Sequence, residues 1–145
     1  MEDKMELSEF HVQLELRIDW SELDYFKHVN NVSFFKYIQS ARVNYWERIG
    51  LNRLHSEKNV GVILASTQCD FRKPLTYPGR VVILSAVYFI KSSSFGIRHV
   101  LLNETGEVSA EAGDVLVMYD FNNHGKILIP HSIRMAIEEL ENKKF

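Results

Sequence analysis

Residues 32–49 carry the one long helical pattern in this 145-residue chain, and almost everything after it is strand-like. Apolar side chains recur there at three- and four-residue spacing, at Phe34, Ile38, Ala41, Tyr45 and Ile49, with Phe35, Tyr37 and Trp46 beside them. At 1.5 Å per residue such a helix is roughly 27 Å long. Its aromatic face requires a broad apolar surface to cover it. Gly50 supplies the stop.

The covering surface is legible on both sides of that helix. Residues 10–20, FHVQLELRIDW, alternate apolar and polar, which predicts a half-buried strand. Downstream, residues 60–71, 81–91, 96–103 and 107–119 read as four more strands, divided by turn chemistry at Tyr77-Pro78-Gly79, at Lys91-Ser92-Ser93-Ser94 and at Asn103-Glu104-Thr105-Gly106. The short connections predict antiparallel neighbours in chain order. One strand, a long helix and four strands predict an α+β domain, a curved antiparallel sheet wrapped around one helix. Residues 130–140 are a candidate C-terminal helix, and the whole of 1–145 is expected to be one domain.

A formal net charge of -2 gives no bulk attraction to nucleic acid or to an anionic membrane. No apolar run approaches the length of a membrane span, and the opening MEDKMELSEF lacks the apolar core of a secretory signal. Cys69 is the one cysteine, so no intrachain disulfide can form, and a reducing cytoplasm is the expected home. A domain of this size leaves much surface open, which makes a second copy an expected partner.

The stretch Asp24-Tyr25-Phe26-Lys27-His28-Val29-Asn30-Asn31 puts an acid, an imidazole and two amides just before the helix. Either asparagine can cap it. Helix N-termini present unpaired N–H groups and a positive dipole end, suited to a carbonyl oxygen that gains charge during acyl transfer. A carboxylate a few residues upstream can attack that carbonyl or activate a water. Without further information an acid before a helix is most often a turn or capping residue, although Asp24 stands too far from Asn31 to be the cap. Asp24 and His28 lack an evident third metal ligand, Cys69 lacks a partner that would activate its thiol, and Ser33 lacks a nucleophile-elbow setting.

Residues 17–50, RIDWSELDYFKHVNNVSFFKYIQSARVNYWERIG, resemble the signature of the 4-hydroxybenzoyl-CoA thioesterase-like hotdog family: D-x-D-x-x-G-H-V-N-N-x-x-Y, then an aromatic helix ending in an A-R pair. Glu22, Asp24, His28, Val29, Asn30, Asn31, Phe34, Ala41 and Arg42 occupy those places, and CDFRKPLTYPG resembles the family's later Pro-Leu and Pro-Gly turn. The resemblance implies a hotdog fold and hydrolysis of an acyl-CoA thioester, with Asp24 as nucleophile or general base and the backbone N–H at Asn31 polarising the carbonyl. His28 is then a turn-stabilising member of the catalytic loop. No cofactor is implied beyond the coenzyme A of the substrate, and no metal.

Two departures from the signature are Glu22 in place of its first Asp and Lys27 in place of its Gly. A Gly there permits positive φ or close ligand approach, so Lys27 puts the loop shape and the substrate pocket in question. A charged Lys27 also favours an ionised Asp24. Coenzyme A needs cations for its phosphates; the resemblance points to Lys91 and Ser94, and Arg72, Lys73 and Lys126 are further candidates. It also implies homodimers or homotetramers with the site shared between copies. Two other readings stay open: hydrolysis of acyl groups carried on acyl carrier protein, and an acyl-ligand binding protein without catalysis.

Overall fold

The computed structural model describes residues 5–145; residues 1–4, the first part of the segment judged to lack a signal pattern, lie outside the described residues. In chain order the elements are β1 (Val12–Arg17), α1 (Asn31–Arg48), α2 (Leu51–Lys58), β2 (Val60–Phe71), β3 (Arg80–Ile90), β4 (Ser94–Leu102), β5 (Val108–Asp120), the short β6 (Gly125–Lys126) and α3 (His131–Glu141). The strands form one antiparallel sheet in the order β1-β3-β4-β5-β2, with β6 added to β5. One face of this curled sheet packs on α1, which is the hotdog fold that the resemblance implied.

The strand order corrects one expectation. β3, β4 and β5 follow one another as neighbours, but β2 pairs with β5 and β3 pairs with β1, so the turn at Tyr77-Pro78-Gly79 does not join adjacent strands. The segment between β2 and β3 instead crosses the end of the sheet, where Leu75 is buried and accepts the Val29 amide at 2.9 Å. Pro74 and Pro78 cannot extend a hydrogen-bonded hairpin. The helix α2 was also unforeseen. It begins directly after Gly50, whose φ of 83° turns the chain out of α1.

The inward-facing strand residues, such as Val81, Ile83, Ile97, Leu101, Ala110, Leu116 and Met118, meet Phe34, Ile38, Ala41, Tyr45 and Ile49 of α1. This core has two apolar lobes, one around Tyr45, Phe95, Met118 and Ile137, the other around Ile18, Phe34, Ile38 and Leu75. A polar band runs through it. Arg42 donates to Asp114 through Nε at 2.9 Å and Nη2 at 3.3 Å, Thr67 Oγ1 donates to the same carboxylate at 2.7 Å, and His99 Nε2 reaches it at 2.7 Å. Ser85 Oγ lies 2.8 Å from His99 Nδ1. Arg42, Ser85, His99 and Asp114 are all buried, so this band is held by its own hydrogen bonds rather than by water.

A second buried carboxylate locks the C-terminal helix. β3 runs on past the end of its pairing with β1 at Ser85 and is bulged between Val87 and Phe89. Glu141 of α3 accepts the Val87 amide at 3.0 Å and the Tyr45 hydroxyl at 2.5 Å. Glu141→Ala strands both donors in the core, and we expect it to cost about 2–3 kcal/mol of stability, read as a lowered urea midpoint at unchanged m-value.

Candidate active site

The candidate catalytic loop is a tight hairpin. Leu23 bridges to Val29, the Asp24 amide donates to His28 O at 2.7 Å, and the Lys27 amide donates to Asp24 O at 3.1 Å. Tyr25 and Phe26 therefore occupy the tip of a β-turn, and Lys27 follows it with φ of 67°. This is the three-residue hairpin loop in which a left-handed residue closes the turn, a position suited to Gly. Lys27 adopts a positive φ that a Gly takes without strain, so Lys at this position leaves the loop geometry standing at a local cost. Lys27→Gly should raise stability by about 0.5–1 kcal/mol, seen as a higher melting temperature.

Asp24 takes part in that turn. Its Oδ1 accepts the amides of Phe26 at 2.8 Å and His28 at 3.2 Å. Among the described residues no hydrogen bond reaches Oδ2, and Lys27 forms no ion pair with Asp24. The bland reading of an acid before a helix is thus half right: one oxygen is a turn acceptor. The other is oriented by that turn and open to solvent. His28 serves the loop through its backbone, which also bridges to Thr76; its side chain is exposed.

The hairpin is fastened to the start of α1. Asn30 is the cap, its Oδ1 accepting the Ser33 amide at 2.7 Å, and Asn31 is the first helical residue. The first amides of α1, Asn31 among them, have no acceptor within the helix. The Asn30 amide donates to Glu22 O at 2.9 Å. The Glu22 carboxylate accepts the Asp19 amide at 2.8 Å and the Tyr37 hydroxyl at 2.7 Å, with Lys36 Nζ at 3.4 Å. Burial first, and then this carboxylate, push the Tyr37 phenol far above its ordinary range, so it stays a donor.

Beside Asn31 runs an open groove of about 350 Å³, lined by Val29, Phe34, Phe71 and Pro74 with Arg72 and Lys73 at its rim. The Phe34 and Phe71 rings meet edge to face at 5.1 Å. Neither basic residue is a lone cation: Arg72 pairs with Glu111 at 3.2 Å and Lys73 with Glu107, which the Lys73, Asn103 and Thr105 hydrogen bonds hold down to about 2. A larger groove, of about 450 Å³, contains no residue of the Asp24 hairpin and lies against outward residues such as Gln68, Asp70, Arg98 and Glu111.

Lys91 and Ser94 close the opposite end of the sheet, the Lys91 amide donating to Ser94 O at 2.8 Å. Lys91 Nζ lies over the Phe89 ring, 5.2 Å from its centre. Lys126 belongs to β6, whose following residues join that same end through the Ile129 amide and Ser92 O. β3 separates the two ends by roughly 30 Å at 3.3 Å per residue. A single chain therefore brings Asp24, His28, Lys27, Asn31, Arg72 and Lys73 to one end and leaves Lys91 and Ser94 at the other. Cys69 is half-buried, and burial followed by the Asp70 charge pushes its thiol up to about 11, which leaves it unreactive at neutral pH.

The Tyr37–Glu22 bond and the Asp114 band are what sequence reasoning missed. The alternation held the signal for the second: Ser85, His99 and Asp114 stand at inward positions of β3, β4 and β5, where apolar residues are the rule. Among the described residues no three His, Cys, Asp or Glu side chains are grouped as metal ligands would be, and no helix is long and apolar enough to cross a membrane.

The sequence model of the thioesterase-like superfamily matches residues 18–137. The chain belongs to that superfamily. Among solved structures, this member is similar to a Thermus thermophilus thioesterase complexed with coenzyme A and Zn, at a TM-score of 0.83 and 26% identity over 94% of this chain and 98% of that one. Among curated proteins, the uncharacterized protein YsmA of Bacillus subtilis is 30% identical over 94 residues, 64% of this chain but only 58% of its own length. The long-chain acyl-CoA thioesterase FadM of Escherichia coli is 20% identical over 89% of this chain and 98% of its own. The chloroplastic acyl-acyl carrier protein thioesterase ATL3 of Arabidopsis thaliana is 28% identical over 88% of this chain and 67% of its own.

Proposed function

We propose that this superfamily member hydrolyses an acyl-CoA thioester to the free acid and CoA. The observation that carries the reading is the Asp24 carboxylate: Oδ1 is held by two loop amides, Oδ2 is open, and the hairpin is hydrogen-bonded to the start of α1. In this reading the thioester carbonyl oxygen sits on the Asn31 amide, where negative charge that develops on it is stabilised. Asp24 Oδ2 either attacks the carbonyl carbon, expelling the CoA thiolate and leaving an anhydride for water to cleave, or takes a proton from a water that attacks directly. Both routes consume one water per thioester. The apolar groove beside Asn31 takes the acyl side. The likeness to the CoA-bound Thermus thioesterase and to FadM supports CoA as the carrier.

The reading includes a second copy of the chain. Among the described residues β2 pairs along one edge only, and from Val60 to Cys69 it has no charge and no proline to blunt the other. Ile63, Leu64 and Phe71 are each more than two-fifths exposed along it. Antiparallel pairing of β2 with its own copy is self-complementary and closes a dimer. In this reading Lys91 and Ser94, at the far end of β3, meet the phosphates of a CoA held at Asp24 of another copy. The single, half-buried thiol suits a reducing cytoplasm.

A second reading has its own support in the likeness to ATL3, namely an acyl carrier protein as the carrier. Thiol release from a panel of acyl-CoAs, repeated with added free CoA and over serial dilution, tests the proposal. We expect turnover, competition by free CoA, and loss of specific activity on dilution below dimer dissociation. Turnover of acyl carrier protein substrates alone would move the carrier, and binding without turnover on either carrier would refute hydrolysis.

A further inference from the structure

The site has two halves, the Asp24 hairpin and the first turn of α1, and Glu22 touches both. Its backbone oxygen accepts the Asn30 amide at the helix cap, while its side chain accepts the Tyr37 hydroxyl from the second turn of the helix. The two residues so held, Asn30 and Tyr37, are seven apart in sequence, a backbone spacing of roughly 10 Å along the helix axis. Two fixed points a helical stretch apart set the roll and tilt of the helix start, which one point would leave free. Glu22 is in turn two residues from Asp24, across the Leu23 to Val29 bridge.

The apolar packing of Phe34 and Ile38 against the sheet fills space but is non-directional, so it sets the angle of the Asn31 amide less sharply than a hydrogen bond does. Glu22 is nearly buried and Tyr37 buried, so this bond is little exposed to competing water. Of the remaining side-chain contacts of Glu22, the Asp19 amide belongs to its own turn, and Lys36, also on α1, is largely solvent-exposed at 3.4 Å and so holds the helix less firmly than the buried Tyr37 bond.

We propose that Tyr37, acting through Glu22, is a positioning residue for the hydrolytic site, setting the helix-start amides against the Asp24 carboxylate. The inference rests on the acyl-thioester reading above and deepens it. Misplacing a reacting group by about 1 Å costs about a hundredfold in rate, and a looser hinge costs part of that. Removing one hydroxyl leaves Glu22 with its Asp19 and Lys36 donors, so the fold should survive.

The test compares steady-state kinetics and melting of Tyr37→Phe, Glu22→Gln and Glu22→Ala with wild type, using the acyl-CoA that wild type turns over fastest. Tyr37→Phe should lower kcat about tenfold or more with KM within about twofold. Glu22→Gln, which keeps an acceptor for Tyr37, should retain more activity than Glu22→Ala. Wild-type kcat in a folded Tyr37→Phe protein overturns the inference, as does a kcat loss that follows the unfolded fraction alone. Absence of thiol release by wild type would instead overturn the hydrolase reading itself, and this inference with it.

Discussion

Asp24→Asn should release no CoA thiol above background, a loss of about a thousandfold or more, or about 4 kcal/mol of transition-state stabilisation, while melting close to wild type. The asymmetry comes from the two jobs of one carboxylate. The amide oxygen of Asn can still accept the Phe26 and His28 amides, so the hairpin keeps its shape. The group that replaces Oδ2 is an NH2, which is neither nucleophile nor base. Asp24→Ala removes both jobs, and we expect it to lose activity and about 1 kcal/mol of stability as well. Circular dichroism melts beside the thiol assay separate the two variants. An Asp24→Asn protein that turns over like wild type would reduce Asp24 to the turn residue that its position alone suggested.

The largest effect on stability should come from Asp114→Ala, about 3–5 kcal/mol, because Arg42 would be left charged and unpaired in the core. The double variant Arg42→Met with Asp114→Leu should recover most of that loss, since it removes the charge rather than isolating it. Urea titrations of the three proteins check both statements. The same group sets a limit in acid. Burial pushes the Asp114 carboxyl up, but the His99 and Arg42 hydrogen bonds and charges outweigh it and bring the group down to about 2. A carboxyl lowered from an unfolded value of about 3.9 contributes stability that is present in full above that value. The contribution, on the order of 2 kcal/mol, is lost as pH falls through roughly 4 toward 2. Wild type should therefore lose more stability across that window than the uncharged double variant.

These two predictions differ in how far the sequence foretold them. The helical period from Phe34 to Ile49 and the alternation around it were enough for a curved antiparallel sheet wrapped around one helix, because one long aromatic helix among strands leaves few ways to bury its face; the hotdog family came from the resemblance. Strand order was not legible from turn length: Pro74 and Pro78 marked a break but not the crossing that sends β3 to β1 instead of β2. Asp24 was singled out by its place before the helix and by the resemblance, and Asn31 by the resemblance; the hairpin shows one Asp24 oxygen held in the turn and the other open. Lys27 looked like the weak point, yet left-handed backbone costs a lysine only about 1 kcal/mol, which a loop pinned at Leu23, Val29 and Thr76 can bear. Tyr37 was assigned to the core from its helical spacing, correctly, but spacing does not tell that a buried hydroxyl will find Glu22 fifteen residues upstream. Lys91 and Ser94 show the limit of reading one chain, since their distance from Asp24 appears only once the sheet is built.

In the proposed mechanism an oriented, open carboxylate next to the start of α1 hydrolyses a thioester. Thiol release by wild type and Asp24→Asn, at matched concentrations of folded protein over a panel of acyl-CoAs, tests it most directly. Wild type should turn over at least one acyl-CoA and the variant none; equal turnover by the two proteins, or none by wild type, would overturn the mechanism.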